Sequence, residues 1–159
     1  ANSSDIRQEL EDLEFMEEFI PDVIIIDYID ILAPEDGNLS ERGQIDNVWK
    51  QFKNIAATRH CLLITADQSN KASGDRNTIK ATEVSEDKRQ KAHVDMVVAI
   101  NQTPDEKAQD VRRLGVILHR HAKFDVRRQV MCLQNLEIAQ PLLDSEIVYV
   151  DQEQEVEGD

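Results

Sequence analysis

The stretch Pro21–Leu32, PDVIIIDYIDIL, constrains this chain more than any other. Its apolar core is too short for a helix and lacks the alternation of a half-exposed strand. β-Branched residues dominate it, which predicts a strand over Val23–Asp27 buried on both faces, as in a parallel sheet covered by helices. A carboxylate at the carboxyl end of such a strand lies at the crevice where open α/β sheets bind ligands. Asp27 would hold a Mg²⁺ bound to nucleotide phosphates there, directly or through water.

The surrounding pattern alternates helix and strand. Ser3 or Ser4 caps a predicted helix carrying Ile6, Leu10, Leu13, Met16 or Glu17, and Ile20, ended by Pro21. Residues 33–38 form a polar, turn-rich loop. Ser40 and Gly43 then lead into a second helix whose Ile45, Val48, Trp49, Phe52, Ile55 and Ala56 repeat at three and four, so one side faces a sheet. Cys61–Ala66 reads as a second buried strand, and residues 71–80 as an aperiodic loop. A short helix over Glu83–Ala92 and a strand over Val94–Asn101 follow. Gln102–Asp110 is a polar excursion, and Leu114–His121 and Arg128–Leu136 form a strand pair around Lys123–Arg127. The order implies an α/β fold, a mostly parallel sheet flanked by helices with antiparallel edge strands. One domain over residues 3–150 and an acidic, disordered tail over 151–159 are expected. Ala1-Asn2-Ser3 is compatible with a natural chain that extends upstream.

Charge is distributed unevenly. The net charge is −14 over 159 residues, which argues against a simple nucleic-acid binder. Between Arg112 and Arg128, however, six bases stand against the single acid Asp125, so this segment is suited to meeting phosphate. No apolar run approaches the roughly 20 residues of a membrane span. Cys61 and Cys132 have no metal-ligand spacing and read as reduced core thiols of a cytoplasmic protein.

The segments VIIIDYIDIL, LLITADQSN, EVSEDKRQKAHVDMVVAI and VILHRHAKF, in that order, resemble the hexameric replicative helicases of the DnaB type, whose motor is a RecA-like ATPase domain. The resemblance runs from about Ile6 to Leu136. It implies that Asp27 is the Walker B carboxylate and a Mg²⁺ ligand, and that Gln68 senses the γ-phosphate of ATP, with Asn70 beside it. It also implies that the end of VILHRHAKF supplies a cation to the neighbouring subunit's nucleotide. There the family carries a Lys-x-Arg pair, and this chain has His121-Ala122-Lys123. Lys123 takes the arginine's place, with Arg120, His121, Arg127 and Arg128 as further candidates. Lysine supplies charge without the planar fork of a guanidinium.

The implied parent is an ATP- and Mg²⁺-dependent ring motor, translocating 5′–3′ on single-stranded DNA, with a helicase loader or primase as further partners. The loop carrying Lys71, Arg76 and Lys80 would contact DNA; it lacks aromatic residues, so contact would follow the backbone. The earlier loop, Pro34–Glu41, is acidic and would repel phosphate. Glu86 and Asp95 read as structural caps, and Asp30 as loop chemistry. The sequence contains no Gly-x-x-x-x-Gly-Lys-Ser/Thr, the loop that supplies most phosphate contacts in such sites. The chain therefore reads as the second part of a motor domain that does not hydrolyse ATP alone. Two alternatives stand beside this. One is a catalytically inactive RecA-like module binding partners through its acidic flanks. The other is a metal-dependent phosphoesterase using His119 and His121 with Asp27 or Asp125.

Overall fold

The computed structural model describes residues 1–35, 37–68 and 92–150. These fall into two compact units, one holding residues 1–68 and 92–94 and the other residues 95–150.

The first unit contains α1 (Ser3–Glu17), β1 (Val23–Ile26), α2 (Glu41–Arg59) and β2 (Leu62–Thr65), with a 3-10 turn at Ile29–Ile31. Asn2, not Ser3 or Ser4, caps α1: its side chain accepts the Asp5 N–H while the Asp5 carboxylate accepts the Asn2 N–H. The two serines instead donate their hydroxyls to Glu35 Oε1. Those bonds, Ser3's first, hold the Glu35 carboxyl below the usual range. Helix α1 ends at Glu18, which takes the left-handed conformation at φ 53°, three residues before Pro21. Ser40, at the lead into α2, caps it by accepting the Gly43 N–H at 3.3 Å.

Strands β1 and β2 pair in parallel, Val23 with Leu62 through Ile26 with Thr65. The core comprises Leu10, Ile24, Ile29, Val48, Trp49, Phe52 and Ile55, with Ile26 and Leu63 packed against it. Both strands thus bury the same alternate residues. The expectation of burial on both faces is corrected here, since Val23, Ile25, Leu62 and Ile64 on the opposite face are exposed, Ile25 by 71%. Two residues of the expected α1 stripe, Met16 and Ile20, are also exposed. Met16 is rotated off the line of Ile6, Leu10 and Leu13, and Ile20 lies beyond the end of the helix.

The second unit is a four-stranded antiparallel sheet in the order β3 (Met96–Asn101), β4 (Val111–His119), β5 (Arg128–Asn135), β6 (Gln140–Tyr149). A five-residue helix, α3 (Pro104–Ala108), occupies the polar excursion between β3 and β4. Strand β6 is an addition to the elements read from the sequence. The fold is α/β with parallel and antiparallel sheets; within the described residues the parallel part is the β1–β2 pair. Cys61 is partly buried, Cys132 is buried, and both are free thiols. No helix among the described residues is long and apolar enough to cross a membrane.

Candidate nucleotide site

The parallel pair β1–β2 sets the geometry of the site. Its strands end in register at Ile26 and Thr65, so Asp27 and Ala66-Asp67-Gln68 leave the same edge of the ladder. Asp27 and Gln68 are exposed. The Asp27–Tyr28 peptide is cis. The chain beyond it is pinned twice: the Ile29 N–H donates to Thr65 Oγ1 at 3.1 Å, and Trp49 Nε1–H donates to Asp30 Oδ1 at 2.9 Å. Ile29 between them is buried in the core. Asp30 is therefore a loop anchor, as its sequence position suggested. The Asp27 carboxylate has no hydrogen bond or ion pair among the described residues, leaving its oxygens open to a hydrated cation.

In the second unit, β4 ends at His119 and the chain turns on that side chain. His119 Nδ1 accepts the backbone N–H of His121 at 3.2 Å and of Ala122 at 3.0 Å. Asp95, ahead of β3, accepts the Arg120 N–H on its carbonyl at 2.9 Å, and its carboxylate lies 3.3 Å from His121 Nε2. These contacts agree with reading Asp95 as a structural cap. Arg127 grips Asp125 through Nε at 3.1 Å and Nη2 at 2.9 Å, bonds that hold the Asp125 carboxyl below its usual range. Lys123 is exposed and has no carboxylate partner among the described residues, and the same holds for Arg128. The turn between β4 and β5 therefore presents Lys123 unneutralised while Arg127 is committed to Asp125.

Asn70, Lys71, Arg76, Lys80, Glu86 and most of the helix expected over Glu83–Ala92 lie outside the described residues. The phosphoesterase alternative finds no support: no group of three or more metal-ligating side chains forms among the described residues. His119 moreover spends its Nδ1 lone pair on two backbone donors.

Two polar constellations escaped the sequence reading. In the first unit, Asp46 on α2 accepts from Lys50 Nζ at 2.8 Å and lies 2.9 Å from His93 Nε2. In the second unit, Arg113 is buried in the sheet. Its Nε and Nη2 donate to the two carboxylate oxygens of Glu106, and its Nη1 donates to Gln129 Oε1 at 3.0 Å. Glu106 also accepts the Thr103 N–H at 2.8 Å, closing a capping box around α3. Burial pushes the Glu106 carboxyl up, but the bonds from Arg113 and Thr103 outweigh it and the net shift is downward. The run Thr103-Pro104-x-Glu106 was the available signal for that cap.

A parallel strand pair leading into a carboxylate and an amide, packed with two helices and followed in sequence by an antiparallel sheet, is the α/β arrangement of this chain. Two solved structures share it. One, an ATPase domain, superposes with a TM-score of 0.71 at 15% identity, over 94% of this chain and 52% of its own. The other, a DnaB-like replicative helicase solved in a study of its interactions with primase, superposes with a TM-score of 0.70 at 15% identity, over 85% of this chain and 34% of its own. The chain thus has the fold of part of a DnaB-like helicase ATPase domain and spans about half or less of these neighbours. No protein-family profile matches the chain, and no curated protein does.

Proposed function

We propose that this chain forms part of an ATP-driven replicative helicase motor, supplying the Mg²⁺-holding carboxylate, the γ-phosphate sensor and a trans-acting cation. The observation that carries the proposal is the position of Asp27 and Gln68 at the neighbouring carboxyl ends of two parallel strands, in a fold shared with a DnaB-like helicase. An exposed carboxylate without a cationic partner fits a hydrated Mg²⁺, which would neutralise charge on the β- and γ-phosphates. Gln68 offers an amide N–H to the terminal phosphate, and Thr65 and Trp49 hold the intervening loop so that Asp27 keeps its position. Lys123, on the turn after β4, completes the site of a neighbouring subunit in a homo-oligomeric, hexameric ring. Single-stranded DNA is the track, contacted by Lys71, Arg76 and Lys80, with a loader or primase as further partner and the cytoplasm as location.

The sequence has no phosphate-binding loop, so the chain by itself turns over no ATP, and the loop comes from the rest of the parent domain. In that parent, Asp27→Asn and Gln68→Ala each lower ATP hydrolysis by about 10–100-fold, as expected for groups acting through water or one hydrogen bond. Thermal unfolding stays unchanged, because both residues are exposed. Wild-type turnover in both variants removes the nucleotide-site reading. The missing loop also favours a second reading, an inactive RecA-like interaction module. Mg²⁺-ATP binding by the parent, weakened in Asp27→Asn, decides against it.

A further inference from the structure

The carboxyl end of α1 carries an apolar cluster that the nucleotide reading does not use. Phe15, Met16, Phe19 and Ile20 are 85, 75, 52 and 58% exposed. Two pairs, Phe15 with Phe19 and Met16 with Ile20, stand four residues apart, and the helix stops between their members at Glu18. Four large apolar side chains within six residues are far more contiguous than the single exposed hydrophobics of ordinary surfaces, and such patches mark binding sites. Beside them runs an open groove of about 390 Å³, floored by Ile20 and Ile55 and rimmed by Arg7, Glu14, Thr58 and Arg59.

Charge specifies the occupant. Glu11, Asp12, Glu14, Glu17 and Glu18 interleave with the cluster, and no Lys, Arg or His occurs between Arg7 and Arg42. Arg59 neutralises Glu14 at 3.0 Å, and the other four carboxylates have no cationic partner among the described residues. A second copy docking the same patch on itself would set these acids against each other. Among the described residues, the basic segment from Arg112 to Arg128 lies on strands and a turn, not on a helix.

We propose that the end of α1, with the groove beside it, docks a basic amphipathic helix of another protein. Apolar residues of that helix at i, i+3 or i+4 and i+7 would pack on Phe15, Met16 and Phe19 and reach Ile20 in the groove. Lys and Arg on its flanks would meet the acids, steering association and fixing orientation. Met16, unbranched and polarizable, adapts to differently shaped anchors. The site belongs to the first unit alone and does not depend on the nucleotide reading.

The test uses the full chain and a labelled peptide of about 18 residues, Leu on one helical face and Lys on the other, read by fluorescence anisotropy. A peptide of the same composition, shuffled to have no apolar face, is the control. Expected are saturable binding of the amphipathic peptide, at least about tenfold weaker binding of the shuffled one, and a similar loss in the Phe15→Ser/Met16→Ser double variant. Both substituted side chains are exposed, so circular dichroism melting of the variant should match the parent chain. Equal binding of the two peptides overturns the proposal, leaving bulk charge as the cause. So does unchanged binding by the double variant. Concentration-dependent self-association in sedimentation, abolished by the same double variant, also overturns it and assigns the patch to a second copy.

Discussion

Trp49 donates its indole N–H to Asp30 Oδ1 across 2.9 Å, tying the middle of α2 to the loop that carries Asp27. The same ring is buried in the core, so one residue serves both packing and loop geometry. Trp49→Phe keeps most of the buried ring and deletes the donor. It is expected to cost about 1.5–3 kcal/mol, the range for a hydrogen bond to a carboxylate. The urea midpoint measures that loss; a midpoint equal to the parent's would show that solvent fully replaces the indole.

The pair Arg113–Glu106 predicts an asymmetry. The Arg113 side chain is 5% exposed and that of Glu106 is 23%. Removing the carboxylate by Glu106→Ala leaves the buried guanidinium without this counter-charge, at about 3–5 kcal/mol. Arg113→Met removes the buried charge and leaves a carboxylate with some access to water, so it costs less. Chemical denaturation of the two variants side by side tests the order; the reverse ranking would mean that the sheet opens to hydrate Arg113.

Asp46 predicts a pH dependence. The bond from Lys50, then that from His93, holds its carboxyl below the ordinary value of 3.8. A depressed folded-state pKa contributes stability that is present above the unfolded pKa and lost as pH falls through the folded one. Asp46→Asn should therefore be less stable than the parent at neutral pH, with the difference shrinking as pH drops below about 3.8. Urea midpoints taken from pH 7 downward check this. A gap that stays constant into acid assigns the effect to packing.

The parts of this structure visible in the sequence are those where side-chain chemistry and backbone geometry agree. Val23–Ile26 and Leu62–Thr65 are runs of residues with few options besides a strand, and α2 shows its periodicity from Ile45 to Ile55. Asp27 and Gln68 were visible as polar residues following such runs. Strand β6 was obscured by Pro141, Asp144 and Glu146, whose polarity is tolerable because almost all of that strand is exposed. Arg113 and Gln129 were invisible for a different reason. Each looks like a surface residue, and only the register, which places Arg113 opposite Met131 and Gly115 opposite Gln129, brings them together. Gly115 makes the room: a Cβ there would sit 3.2 Å from Gln129 Cγ.

Lys123 predicts complementation between subunits. Losing a trans-acting cation costs such motors about three to five orders of magnitude in rate. In the proposed ring, Lys123→Ala and Asp27→Asn subunits, each well below wild-type turnover alone, should exceed either one alone when co-assembled, because some interfaces then carry both wild-type residues. Mixed rings without recovery would place Lys123 in its own subunit's chemistry. Arg128 would then be tested next, Arg127 being engaged with Asp125.

The bare face of the β1–β2 pair has a consequence for handling the protein. Among the described residues no third strand pairs with either edge of this ladder, and Val23, Ile25, Leu62 and Ile64 on its bare face are all exposed. Exposed, flat, β-branched edges are templates for strand addition by other chains. At neutral pH a net charge of −14 makes the molecules repel one another. Near the isoelectric point of about 4.6 that repulsion vanishes while the edges remain, so acidification is expected to promote association of chains through these strands.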